Sequence, residues 1–273
     1  MTNTNKWSLR TAFIGLALVA VTGCAQDEAP KPAPAPAPAP AAPKPPPPAP
    51  VAAPAAAGGY TVAPVTGGGT ISGKVTLTGA APKLALENRN KDPKVCGTSG
   101  PNQTLIVNAT GGVSNAIVSL TDIHSGKALS VGAAQLDQNK CSYIPHVQAL
   151  AVGTTLTVHN SDTILHNVHA SLGAATVFNF AMPIHDQKIP TTLSKAGLIK
   201  LKCDVHGWMN GAIAVEENPY FAVTGADGSY SLTDVPPGTY TVHVWHETLG
   251  DQDQKVTVAA GGKGMADFKL AAK

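Results

Sequence analysis

Cys203, His206 and Met209 stand in one short stretch, Leu198 to Glu216, with the spacing Cys-x-x-His-x-x-Met. A thiolate, an imidazole and a thioether on one loop make a soft nitrogen-and-sulfur ligand set, suited to copper cycling between its two oxidation states. A second imidazole is needed, and His166-Asn167-Val168-His169 can supply it from upstream. The stretch reads as a strand, a tight loop and a second strand. Because side chains alternate along a strand, Ile199, Leu201 and Cys203 share one face while Lys200 and Lys202 face water. By the same rule His166 and Val168 share a face opposite Asn167 and His169, which makes His166 the inward imidazole.

Rival chemistries fit less well. A thioether is a poor zinc ligand, and only three strong ligands are offered. The Cys-x-x-Cys-His of covalent haem attachment is absent, and a two-copper centre would need a second cysteine in the loop. His246-Glu247 begins like a zinc-protease helix, but residue 250 is Gly and the surrounding pattern is that of a strand. Trp208, beside Met209, is expected either to pack or to rim His206 for partner docking.

The elements that must position these groups are strands. Thr70 to Leu77, Asn115 to Leu120, Thr155 to His159, Ser229 to Leu232 and Thr239 to Trp245 all alternate apolar and polar residues. Asp227-Gly228 and Pro236-Pro237-Gly238 punctuate them as turns. Many short strands with Gly and Pro between them predict an all-β sandwich fold.

The N-terminal part is of another kind. Lys6 and Arg10 precede an apolar run from Thr11 to Val21, too short to span a bilayer as a helix, so it reads as a signal peptide. From Pro30 to Pro54 there are 13 prolines in 25 residues, most of the others Ala. Such a segment cannot bury a core and favours extended polyproline II, reaching about 80 Å at ~3.1 Å per residue. It reads as a stalk or a disordered linker. The precursor's formal charge is +2, and loss of Lys6 and Arg10 with the leader leaves the mature chain neutral. With no basic run, a nucleic-acid partner is excluded. An exported chain commonly pairs its spare cysteines, so Cys96–Cys141 is the expected disulfide and Cys203 the free thiolate.

Several of these motifs resemble known families. Val21-Thr22-Gly23-Cys24 resembles a bacterial lipobox, which implies cleavage before Cys24 and acylation of its thiol. Gly69 to Val75, Phe221 to Leu232 and Val235 to Val242 resemble the carboxypeptidase regulatory-like (prealbumin-like) β-sandwich, a non-catalytic scaffold. Between them, Tyr143-Ile144-Pro145, Val152 to Val158, Asn160-Ser161-Asp162, His166-Asn167-Val168 and the Cys203 loop follow the order of the cupredoxins. This part is similar to the plastocyanin, amicyanin and pseudoazurin group of blue copper proteins. That resemblance implies copper held by His166, Cys203, His206 and Met209, with the Asn167 amide bracing the cysteine loop. Asp204 and Val205 depart from the Ser or Thr and Pro usual there, and an acid beside the thiolate bears on the redox potential.

The expected layout is a leader over 1–23, a tether over 24–66, a prealbumin-like sandwich over 67–125 and 217–273, and a cupredoxin-type Greek-key sandwich over 126–216. The last is either nested in the scaffold or packed beside it. The expected function is a one-electron carrier and not an enzyme, because protein ligands fill all four positions. Electrons would pass through the solvent-facing edge of His206 to a redox partner protein. The expected location is the cell envelope, lipid-anchored and facing the periplasm, on the outer membrane in a Gram-negative host because Ala25 follows the cysteine. Copper storage or delivery, and a metal-free envelope scaffold, are the alternatives.

Overall fold

The computed structural model of the protein describes residues 59–272. The expected leader, the lipidation site Cys24 and the proline-rich stretch lie outside the described residues.

Alternation becomes pleat in the strand Gly69–Thr78, where Ile71, Gly73 and Val75 turn inward and Lys74 outward. It pairs antiparallel with Ser229–Val235 and parallel with Lys263–Met265 and Phe268–Ala271. A facing sheet runs Phe221–Val223, Ile117–Leu120, Gly238–His246, Gly250–Val258, antiparallel throughout. Ile71, Val75, Val118, Leu120, Val242 and Phe268 meet between them. Each such side chain, fully buried, contributes about 1.5–3 kcal/mol.

A second sandwich is built from the intervening chain. One sheet has the order Lys188–Thr192, Thr155–Asn160, Ala133–Asn139, Ser142–Ile144. The other runs Ala175–Met182, His166–Leu172, Gly197–Lys202, Asn210–Glu216, Val147–Ala151. Each contains one parallel pair among antiparallel ones, because neighbouring strands are joined across the sandwich and not only by hairpins. Leu136, Leu156, Val158, Val168, Ile199 and Ile213 fill its core, and Cys203 and Met209 belong to the same cluster.

The two sandwiches touch through a small apolar cluster of Ile117, Val147, Ala212 and Ala214, with Trp245 and Leu198 against it. A hydrogen bond between His146 and Glu247 joins them as well. Among the described residues no helix is long and apolar enough to cross a membrane.

Two local features differ from the pattern read along the chain. The strand expected from Asn115 begins at Ile117, because Asn115 adopts a left-handed conformation with φ of 62°. The stretch 87–100, expected within the prealbumin-like sandwich, leaves it and packs on the other one. There Glu87–Asn88 pairs with Ser99–Gly100 and closes a loop that holds the single-turn helix Pro93–Cys96. Cys96 is buried in the second core and forms a disulfide with Cys141.

Candidate metal centre

The strand Gly197–Lys202 buries Ile199 and Leu201 and exposes Lys200 and Lys202, so the next inward position is Cys203. A tight loop follows. The Cys203 amide donates to the Met209 carbonyl at 3.1 Å, and the Met209 amide to the His206 carbonyl at 2.9 Å. The His206 amide donates to Cys203 Sγ at 3.3 Å. Burial raises the pKa of this thiol, but His166 and the backbone amides of Asn167, His206 and Val205 stabilise the anion more, bringing it to about 6.

His166 opens the strand His166–Leu172 and is fully buried, with Val168 and Ala170 following it inward. His166 Nδ1 lies 2.9 Å from His206 Nδ1, and the latter lies 3.8 Å from Cys203 Sγ. Ligand atoms of His166, Cys203 and His206 all fall within 4.8 Å of one another, and all three residues are buried. Met209 is buried in the same cluster at 2% exposure.

What the imidazoles do with their outer nitrogens decides the chemistry between them. His166 Nε2 is 2.9 Å from Asp162 Oδ2, and His206 Nε2 is 2.9 Å from Asp92 Oδ2. A carboxylate only accepts, so each Nε2 carries the hydrogen and a neutral ring leaves a lone pair on each Nδ1. Two lone pairs 2.9 Å apart, beside a thiolate, need a positive centre between them. A proton serves in the metal-free protein. Burial alone would lower the pKa of His166, but Asp162 and Cys203 raise it above the ordinary histidine value. A metal ion is the alternative occupant, and nitrogens each ~2.0 Å from one ion can stand this far apart. The residues therefore fit a metal that takes two imidazoles and a thiolate.

Around this group the side chains are fixed. Asp162 also accepts the amides of Lys140 and Cys141, both at 2.8 Å, so its carboxylate is aimed before any ion arrives. Asn167 Oδ1 accepts the Asp204 amide at 2.6 Å and ties the first histidine strand to the cysteine loop. Tyr143 donates to the Asn167 carbonyl at 2.6 Å. Trp208 donates to the Cys141 carbonyl at 3.1 Å and sets its ring, tilted by 58°, 5.0 Å from that of His206.

His166, Cys203 and His206 thus bring their ligand atoms together, with Asn167 tied to their loop and Met209 held in it by backbone hydrogen bonds, and His169 does not join them. It faces the other side of the sheet, bound to Asp204 and Thr176. The Asp204 carboxylate also turns away from the thiolate. It lies against Lys202, His169 and Asn167, with Lys202 foremost in holding its pKa down to about 2.

One expectation is corrected. The edge of His206 is not open to solvent: the residue is fully buried, with Trp208 beside its ring and Asp92 on its outer nitrogen. Asp92 went unnoticed in the sequence, and Asp162 stood there only as part of the Asn160-Ser161-Asp162 motif, with no role of its own. Asp162 stands four residues before His166, a spacing that signals nothing outside a helix. Asp92 is 114 residues from His206.

The fold and site together define an all-β protein of two sandwiches, one enclosing a buried imidazole–thiolate cluster. Residues 212–271 match the family model of the carboxypeptidase regulatory-like domain. No curated protein sequence matches the chain. Among solved structures, a Cu-containing nitrite reductase from Thermus scotoductus SA-01 aligns at 24% identity over 36% of this chain, with a TM-score of 0.29. This chain covers 25% of that enzyme's length. A purple cupredoxin from Nitrosopumilus maritimus aligns at 23% identity over 30% of this chain and 99% of its own, with a TM-score of 0.27. An oxidised mutant of amicyanin aligns at 31% identity over 31% and 82%, with a TM-score of 0.28.

Proposed function

We propose that the protein is a one-electron carrier that holds copper between His166, Cys203, His206 and Met209. The observation that carries this reading is the pair of imidazole nitrogens 2.9 Å apart, each backed by a carboxylate and both beside the Cys203 thiol. Bound copper would supply the change between Cu(II) and Cu(I). The chain's own residues do the rest. Asp162 and Asp92 keep the Nε2 protons in place and so present lone pairs inward. The amides at Asn167, Val205 and His206 favour the thiolate. Burial of all four proposed ligands excludes water, and a site braced in this way need rearrange little when the charge at its centre changes. The same closure leaves no place for a substrate, which favours a carrier over an enzyme.

The leader, Cys24 and the proline-rich tether support placing this carrier on a membrane surface of the cell envelope, facing the periplasm. A redox partner protein would then meet it there. Two acyl chains on Cys24 would suffice for stable anchoring, where one would not.

Addition of Cu(II) to the purified metal-free protein is expected to give an intense visible absorption from the thiolate–copper bond and a reversible one-electron couple. Cys203→Ser should abolish the absorption. Weak, colourless binding by the unaltered protein would rule the reading out.

A further inference from the structure

The loop 87–100 has no place in the two sheets of either sandwich, yet it is among the more firmly held parts of the molecule. Cys96 ties it to Cys141. Arg89, only 7% exposed, donates to the carbonyls of Cys96 at 3.1 Å and Lys140 at 2.9 Å, and to Ser142 Oγ at 3.1 Å. Glu87 neutralises the guanidinium at 2.9 Å. Gly100 lies so close against that guanidinium that a Cβ there would collide with it. The loop is therefore clamped to the strand pair Ala133–Asn139 and Ser142–Ile144 from both sides.

What this clamping presents to the site is Asp92. The residue adopts a left-handed backbone with φ of 48° and ψ of 49°, uncommon outside Gly, Asn and Asp. It stands at the start of the short helix, where its carbonyl receives the amides of Val95 and Cys96. Its side chain makes no capping hydrogen bond. Instead the carboxylate reaches His206 Nε2 at 2.9 Å, while 46% of the side chain remains exposed. His206 itself is fully buried. The group that solvent meets above this histidine is thus a carboxylate from a remote, covalently fastened loop.

We propose that Asp92 is a positioning residue that latches His206 into the metal centre, so that the loop 87–100 governs both copper retention and reduction potential. This rests on the copper reading above. A ligand that is free on its outer side can swing away from the metal. One whose Nε2–H is held by a carboxylate cannot do so until that bond breaks. Release of the ion then requires the loop to yield first. The negative charge also makes the imidazole a stronger donor, which favours Cu(II) over Cu(I) and lowers the potential.

Asp92→Asn and Asp92→Ala, each loaded with copper beside the unaltered protein, separate the two effects. The amide of Asn still accepts the Nε2 hydrogen but carries no charge, whereas Ala does neither. Transfer of copper to a competing chelator is expected to be about 10–100-fold faster in Asp92→Ala, with Asp92→Asn in between. The reduction potential should rise in both variants, since both lose the charge. Far-ultraviolet circular dichroism and the Cys96–Cys141 disulfide should be unchanged. If the unaltered protein takes copper with its intense colour but all three proteins share one potential and one transfer rate, the latch is disproved and the copper reading stands. If the unaltered protein gives no such colour, the copper reading itself falls.

Discussion

Cys203 and His166 carry opposite pH signatures, and both follow from the same contacts. The Cys203 thiol is lowered to about 6, against about 8.5 for a free cysteine. A group depressed in the folded state contributes stability that is fully present above its unfolded value and is lost as pH falls through the folded one. For Cys203 that window runs from about 8.5 down to about 6. His166 is raised, so its contribution is full below about 6.5 and is lost as pH climbs through its higher folded value. The ultraviolet thiolate absorbance of the metal-free protein should therefore titrate near pH 6, and copper loading at neutral pH should release the proton held between the imidazoles. A thiol titrating near 8.5 would mean that His166 and the backbone amides do not act on it. Removing the charge behind the first imidazole with Asp162→Asn should weaken copper binding by about 10–100-fold, measured by chelator competition. An unchanged affinity would show that the Lys140 and Cys141 amides, not the carboxylate charge, orient the ring.

At the scale of elements, the strand–loop–strand around Cys203 was readable because two rules agree there. Alternation places Ile199, Leu201 and Cys203 together, and a loop of seven residues brings Asn210 back opposite Lys202. The first histidine strand was readable for the same reason. Two of the edge strands were not. Ala175–Met182 buries only Phe178 and Met182 fully, so its alternation is faint. Lys188–Thr192 contains Pro190, which an edge tolerates because one side of the strand has no partner to hydrogen-bond. The loop 87–100 was the least readable element. Its hold on the site comes from Arg89 and Asp92, polar residues in a stretch without periodicity, acting on residues far along the chain. In the other sandwich Gly73 was read as part of a strand, but its need to be glycine is a matter of packing. A Cβ at Gly73 would run into the Ala266 carbonyl. Gly73→Ala should lower the urea midpoint, at a cost of about 1–3 kcal/mol, and leave the copper spectrum of the folded fraction unaltered. A spectral change there would show that the two sandwiches communicate.

The whole molecule joins a scaffold to a site through a small contact, and that contact contains a carboxyl group whose charge is disfavoured by burial. Glu216 ends the strand Asn210–Glu216 and lines a cleft of about 340 Å³ between the sandwiches, together with Ser119, His243 and Trp245. Burial raises its pKa, opposed by His243 and the Ser119 hydrogen bond. A carboxyl raised in the folded state stabilises it fully below the unfolded value, and the contribution is lost as pH rises through the folded one. Glu216→Gln should accordingly raise the denaturation midpoint at pH 7, with the gain vanishing at pH values below about 4.3, where the unfolded carboxyl is itself protonated. The all-β character was visible in the sequence through turn signals and alternation, while the split motifs left open whether one sandwich interrupts the other or lies beside it. Which residues line the contact was not, because Ile117, Ala212 and Trp245 look like any other alternating strand positions.

The most direct measurement is the visible spectrum of the copper-loaded protein beside those of His166→Ala, Cys203→Ser, His206→Ala and Met209→Ala. An intense thiolate–copper band is expected in the unaltered protein, absent in Cys203→Ser, lost or displaced in either histidine variant, and shifted in Met209→Ala. An unaltered protein without that band, or one whose band survives in Cys203→Ser, would contradict a metal held by these four side chains.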